Sequence, residues 1–304
     1  MEHLLTVQNT SYFYGEKKAL SEISFDVKKG ETFGLIGPDG AGKTTLIRLF
    51  CGLLQPSSGS CSVLGLDTVK EKYRLIPKIG YLSQKFSLYT DMTVSENIDF
   101  FATIHRVPNF KSRKEELLEF TGLLNFKKRL AGALSGGMKQ KLALSCTLIH
   151  TPEIIFLDEP TNGVDPVARK EFWTILKEIA STGVSIIIST PYIEEAERCD
   201  RVGLMNEGVL IACDTPANVK SMFPFKLYEI LSEDIRKAKK VLEESKRFDF
   251  VQIFGSTIHT GIEKNRDDKF LKEIFKTEEK VKIREIKPTL EDVFIAILEN
   301  GEQL

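Results

Sequence analysis

The sequence predicts an α/β fold: a parallel sheet with crossover helices, preceded by an antiparallel β lobe, interrupted by a helical insert and followed by a small α+β domain. Three observations predict it. Continuous apolar runs at Thr32 to Ile36, Ile154 to Leu157 and Ser185 to Ser189 have the character of strands buried on both faces. A glycine loop follows the first of these runs and opens a helix. After Ser221 the chain changes character, and Phe223-Pro224-Phe225 marks a break.

Taken in order, Leu20-Ser21-Glu22-Ile23-Ser24-Phe25-Asp26-Val27 alternates as a half-exposed strand does, and Lys28-Lys29-Gly30 turns it into the first buried strand. From Thr93 to Leu130 the period becomes helical, with Val94, Ile98, Phe101 and Ala102, then Leu117, Leu118 and Leu124, at steps of three and four. This is the helical insert, spanning about 90–150. A helix around Phe172 to Ile179 separates the last two apolar runs, which is the layout of parallel strands with crossovers. Glu207-Gly208 turns a hairpin. The remainder reads strand, Lys-rich helix (Ile235 to Ser245, a solvated face), strand, helix, strand, helix. The expected domains are therefore 1–221 and 222–304.

Composition narrows the function classes. With 42 Lys plus Arg against 43 Asp plus Glu in 304 residues, no general attraction to nucleic acid or acidic lipid is implied. Cys51, Cys61, Cys146, Cys199 and Cys213 are odd in number and form no CxxC pair, which argues against a zinc cage or a disulfide scaffold. The opening MEHLLTVQNT lacks the basic-then-apolar layout of a signal peptide, and no apolar run approaches the roughly 20 residues that cross a bilayer. Any membrane role is expected to be peripheral.

The glycine loop is Gly37-Pro38-Asp39-Gly40-Ala41-Gly42-Lys43-Thr44, a GxxxxGK[ST] pattern after a buried strand and before a helix with Leu46, Ile47 and Leu49. Glycines let the backbone wrap phosphates so that its N–H groups and the helix N-terminus face negative charge. Lys43 is expected to reach the β- and γ-phosphates, Thr44 to bind Mg²⁺ and Thr45 to touch the α-phosphate. A second element, Ile154-Ile155-Phe156-Leu157-Asp158-Glu159, is a buried strand ending in two carboxylates. Alone, such an end can be a solvated terminus. Beside a phosphate loop, Asp158 can hold the metal of a nucleoside triphosphate, directly or through water, and Glu159 can act as general base.

Between these elements lies Leu134-Ser135-Gly136-Gly137-Met138-Lys139-Gln140, opening a helix through Leu142, Leu144 and Leu148. Chemistry identifies another helix N-terminus suited to an anion, without saying whose phosphate it meets. Here the chain resembles the ATP-binding subunits of ABC transporters, whose signature is LSGGQ; it departs from that signature at Met138 and Lys139. The resemblance covers roughly residues 4 to 221. It implies an ABC-type P-loop ATPase with a RecA-like core, using ATP and Mg²⁺. Tyr14 resembles the aromatic that stacks on adenine, with Tyr12 and Phe13 as neighbouring candidates. Gln84 resembles the glutamine that touches Mg²⁺ and links to the membrane subunit, and Asp165 matches the loop that crosses to a second subunit. Two ATPase units are then expected to face head to tail, so that Ser135, Gly136 and Gly137 meet the partner's nucleotide. The partners implied are an integral membrane (permease) subunit and a second ABC ATPase, at the cytoplasmic face. Lys287-Pro288-Thr289-Leu290-Glu291-Asp292-Val293-Phe294 resembles the tail of the ABC-2-type exporter branch and implies export.

One departure bears on rate. Family members carry a histidine after the last sheet strand; here the segment reads Ser189-Thr190-Pro191-Tyr192, with Pro191 in its place. Proline offers neither an imidazole nor an N–H. The histidines are His3, His105, His150 and His259, none close to Pro191 in sequence. Loss of one transition-state hydrogen bond costs about a hundred- to a thousandfold in rate. The expectation is a site that binds ATP but hydrolyses it slowly, paired in a heterodimer with a histidine-bearing ATPase, or else a slow homodimer. Asp39, where asparagine is commoner in the family, is given no function. Rival readings are a non-catalytic nucleotide-binding regulator, which retention of Glu159 opposes, and an ABC ATPase acting on ribosomes or DNA, whose second ATPase unit or long coiled coil the chain lacks.

Overall fold

The computed structural model describes residues 3–85, 88–266, 271 and 281–300. They form two units that divide between Thr215 and Pro216.

In the first unit, β1 (His3–Tyr14) and β2 (Lys17–Lys28) form a long antiparallel ribbon. The buried strand β3 (Thr32–Ile36) leads through the glycine loop into α1 (Lys43–Phe50). Next come β4 (Ser58–Val63), β5 (Leu66–Asp67), the short α2 (Lys72–Leu75) and β6 (Ile79–Leu82). The helical insert contains α3 (Val94–Ile104), α4 (Lys111–Phe120) and α5 (Gly136–Leu148). The chain returns through β7 (Ile154–Asp158), α6 (Pro166–Ser181), β8 (Ser185–Thr190), α7 (Ile193–Ala196), β9 (Arg201–Asn206) and β10 (Val209–Asp214). Glu207 and Gly208, with φ of 47° and 79°, make the left-handed turn of the β9–β10 hairpin.

A four-stranded sheet has the order β2-β1-β4-β5, and a six-stranded sheet the order β10-β9-β3-β8-β7-β6. The pairs β9–β3, β3–β8, β8–β7 and β7–β6 are parallel, and β10 adds an antiparallel edge. Parallel strands need cover on both faces, which is why β3 and β7 are buried at every position. One cover is α1: Leu46, Ile47, Leu49 and Phe50 share a core with Val7, Ile23 and Phe25 of the antiparallel lobe and with Phe33 and Phe156 of the main sheet. Phe25 and Phe33 stack at 5.1 Å between centroids, so the lobe is pinned to the sheet from which the glycine loop emerges.

The insert is tied by its polar groups. Thr93 and Glu96 form a reciprocal capping box at the start of α3. Buried Asn97 bonds Tyr89 through both its N–H and carbonyl, and Lys114 of α4 reaches Ser95 and Asp99 of α3. No helix among the described residues is long and apolar enough to cross a membrane.

The second unit contains α8 (Pro216–Ser221), β11 (Phe225–Leu231), α9 (Ile235–Ser245), β12 (Phe250–Phe254), β13 (Thr257–Glu263), β14 (Lys282–Ile286) and α10 (Leu290–Asn300). Its four strands run in the order β12-β13-β11-β14 with every neighbour antiparallel, the arrangement of a split β-α-β plait. Two differences from the sequence reading stand out. The division lies at 215/216 rather than 221/222, because α8 packs on α10. One strand after the Lys-rich helix is in fact a hairpin, turned at Gly255 with φ of 55°. The helix expected next falls outside the described residues, save for Leu271. Ile230, Ala238, Leu242 and Ile258 form the core under α9, while Lys239–Glu243 and Lys240–Glu244 pair along its outer face.

Candidate functional site

The glycine loop is shaped by two backbone demands. A Cβ on Gly37 would lie 2.1 Å from the Met205 carbonyl oxygen, so the loop can pass β9 only as glycine. Gly42 caps α1 with φ of 100°, a conformation that side chains resist. The first-turn amides of α1 have no intrahelical acceptor, and they open onto a cleft of about 590 Å³. Tyr14, Lys17, Lys18, Gly40, Gly42, Lys43, Thr44, Thr45, Glu159 and Glu207 all face it. Among the three aromatic candidates, Tyr14 lines this cleft and is 45% exposed. Tyr12 packs against the core beneath and meets the Tyr14 ring edge-on at 4.9 Å. Pro38 and Asp39 are exposed at the loop tip.

At the base of the cleft the buried ionisable groups converge. Lys43 is 3% exposed; its Nζ donates to the Gly37 and Pro38 carbonyls at 2.7 and 2.9 Å and lies 3.3 Å from Glu159 Oε1. The Thr44 hydroxyl donates to Asp158 Oδ1 at 2.9 Å, and the Ser189 hydroxyl donates to the same oxygen at 2.8 Å. Asp158 Oδ2 is buried with no hydrogen-bond partner. Burial pushes the Asp158 carboxyl above its ordinary value; the Ser189 and Thr44 hydroxyls pull it back, and the neighbouring Glu159 charge adds to the rise. A carboxylate oxygen left bare in such surroundings costs about 1–3 kcal/mol. A divalent cation beside the Thr44 hydroxyl is the partner this donor set fits, hard oxygens for a hard ion.

Glu159 stands just past β7 with φ of 49°, in the left-handed region. That turn costs about 1–2 kcal/mol and carries the side chain out of the strand. The strained residue is held by its own N–H, which donates to the Ser189 carbonyl and hydroxyl at 3.1 and 3.0 Å. Its Oε2 accepts from Gln84 Nε2 at 2.7 Å and Asn162 Nδ2 at 3.1 Å. Lys43 and Gln84 on Glu159, and Thr44 on Asp158, are thus joined into one bonded cluster through Ser189.

Ser135, Gly136 and Gly137 stand at the start of α5. Ser135 caps α5, its oxygen accepting from the Met138 N–H at 3.3 Å, and Gly137 passes so close to α6 that a Cβ would lie 2.6 Å from that of Ala168. Gly136, with Lys139 and Gln140, lines a second cleft of about 350 Å³ that also includes Gln84 and Asn162. Asp165 caps α6, accepting from Val167 and Ala168.

Pro191 follows β8, and the backbone there is folded by Tyr192 N–H donating to the Thr190 hydroxyl at 3.1 Å. The Arg169 guanidinium covers the Tyr192 ring at 3.9 Å, and buried Glu195 accepts from the Thr161 hydroxyl at 2.9 Å. Each histidine is engaged elsewhere. His3 meets Asp26, His105 stacks on His150 at 3.9 Å, and His259 bonds Asp292 within the second unit. The sequence reading missed Ser189, Asn162 and Glu195. Their only sequence signal is a polar side chain next to a recognised element.

The profile of the family described as ABC transporter matches residues 20–162. The chain is 39% identical over 289 residues to the probable multidrug ABC transporter ATP-binding protein YbhF of Escherichia coli, covering 93% of this chain but 50% of YbhF. It therefore spans about half the length of that relative. It is 37% identical to the linearmycin resistance ATP-binding protein LnrL of Bacillus subtilis, covering 72% of this chain and 71% of LnrL. Among solved structures, cbiO1 from Clostridium perfringens, part of the ABC transporter complex cbiONQ, superposes with a TM-score of 0.66 at 30% identity, covering 73% of this chain and 92% of cbiO1.

Proposed function

Because this chain belongs to the family of ABC transporter ATP-binding proteins, we propose that it binds and hydrolyses Mg-ATP, coupling both to a separate membrane subunit of the ABC-2 exporter branch. The observation that carries this reading is the bonded cluster of Lys43, Thr44, Gln84, Asp158 and Glu159 around an unpartnered Asp158 oxygen. Residues more than a hundred positions apart meet there, each with the chemistry that a triphosphate requires.

In this reading Tyr14 stacks on the adenine, and the amides of Gly37 to Thr44, with Thr45, cradle the phosphates. Thr44, Asp158 and Gln84 hold Mg²⁺. An ion held there would supply positive charge to offset that of the phosphates. Lys43 moves its charge from Glu159 to the phosphates, which leaves the Glu159 carboxylate free to take a proton from the attacking water. Gln84 bonds Glu159, so it can report the state of the base toward the membrane subunit. Ser135, Gly136 and Gly137 serve the nucleotide of a second ATPase chain, with Asp165 at the crossing loop. The chain then works at the cytoplasmic face, held there by its membrane partner.

Pro191 removes one donor to the γ-phosphate, and no other histidine is near it in sequence. The site is accordingly slow, and the intact Ser135-Gly136-Gly137 completes a faster site on a histidine-bearing partner, which favours a heterodimer over a homodimer.

The test is Glu159→Gln, read by fluorescent Mg-ATP titration and by hydrolysis. Retained binding with turnover lost supports the reading. Unchanged turnover overturns the base assignment and favours a non-catalytic regulator.

A further inference from the structure

We propose that Asn162 is a positioning residue that sets the plane of the Glu159 carboxylate, an inference that rests on Glu159 being the general base. Glu159 opens a tight turn in which the Asn162 N–H donates to the Glu159 carbonyl at 3.1 Å. The Asn162 side chain folds back along the same turn, and its Nδ2 donates to Glu159 Oε2 at 3.1 Å. That oxygen also receives Gln84 Nε2 at 2.7 Å, while Oε1 faces Lys43 at 3.3 Å.

The last torsion of a glutamate is broad and has no staggered wells of its own, so its orientation must come from outside. Lys43 is a point charge that follows whichever oxygen is near and does not define a plane. Gln84 supplies one directed bond, and a single bond leaves rotation about its own axis. Asn162 supplies a second bond to the same oxygen from another direction, and two directed bonds define the plane. With φ of 49°, Glu159 stands outside the regular pleat of the strand, so its carboxylate is oriented by these side-chain bonds. Asparagine suits the task, since its amide donates without adding charge; an aspartate there would set a second carboxylate against the first.

Asn162 is exposed and borders the second cleft beside Gln84 and Gly136, so substituting it leaves the packed core untouched. Its effect is therefore readable in the full chain.

The experiment is a double-mutant cycle between Asn162→Asp and Glu159→Gln, read as the Kd of a fluorescent Mg-ATP analogue. Asn162→Asp is expected to weaken binding about tenfold in the wild-type chain, because two adjacent carboxylates then hold the Lys43 cation that the phosphates must draw away. In the Glu159→Gln chain the same change is expected to weaken it about threefold or less, since the neutral amide can donate to the new carboxylate. An equal penalty in both chains overturns the proposal. Asn162→Ala, in single-turnover hydrolysis with excess protein, is expected to slow the chemical step about tenfold with Kd within about twofold, as a misaligned base does. An unchanged rate overturns the proposal as well. The base assignment fails by a different result, hydrolysis that survives Glu159→Gln.

Discussion

Strands β7 and β8 run side by side, with Asp158 opposite Ser189, yet they end with opposite equipment. The end of β7 delivers two buried carboxylates into a cluster with Lys43, Thr44, Gln84 and Asn162. The end of β8 delivers two hydroxyls and then Pro191. Ser189 serves its neighbour, bonding Asp158 and the Glu159 backbone, and Glu195 beyond Pro191 bonds Thr161 from the other side. The second strand end therefore supports the first, and Pro191, which follows it, offers neither an N–H nor an imidazole. In the proposed reading, binding nucleotide and sensing its last phosphate are thereby separable.

The largest expected effect is at Glu159. Glu159→Gln is predicted to slow single-turnover hydrolysis by about 10²–10⁴-fold while Mg-ATP titration gives a Kd near that of the wild type. Lys43→Ala comes next, because it removes the cation and strands Glu159. It should weaken Mg-ATP binding about 10–100-fold in the same titration, and a change under twofold would break the contrast between the strand ends. Asp158 gives a smaller, pH-dependent effect. Its carboxyl is raised above 3.8 by burial, so the folded chain holds its proton more tightly than the unfolded chain does. The contribution of Asp158 to stability in metal-free buffer then falls as pH rises through the window that opens near 3.8, while Asp67 and Glu96, whose carboxyls are lowered by hydrogen bonds, contribute in the opposite sense. Thermal melts of the wild type should therefore fall relative to those of Asp158→Asn across that window, a difference that Mg-ATP reverses. Smallest is Lys239→Ala in the second unit, where an exposed pair along α9 is broken. It should cost no more than about 0.5 kcal/mol in denaturant melts and leave nucleotide binding unchanged.

The same contrast explains what the sequence discloses. The α/β class, the glycine loop and the acidic strand end are legible because short, contiguous patterns specify them: apolar runs, glycines at fixed spacing, carboxylates after a strand. The site's supports are not. Ser189 reaches Asp158 across 31 positions and Thr161 reaches Glu195 across 34, and a hydroxyl in isolation gives no hint of its partner. In the second unit, the hairpin at Gly255 reads as one strand because a lone glycine is a weak break. Whether Pro216–Ser221 belongs to the first unit or the second is decided by packing on α10, which local pattern does not encode.

The most direct measurement is Mg-ATP hydrolysis by the purified chain, with and without Pro191→His, alongside Kd for a fluorescent Mg-ATP analogue. The account predicts tight binding with slow turnover in the wild type, and a rise of about a hundredfold on introducing the imidazole with Kd unchanged. Wild-type turnover already as fast as that of Pro191→His would contradict it, for then the end of β8 needs no donor and the two strand ends are not functionally divided.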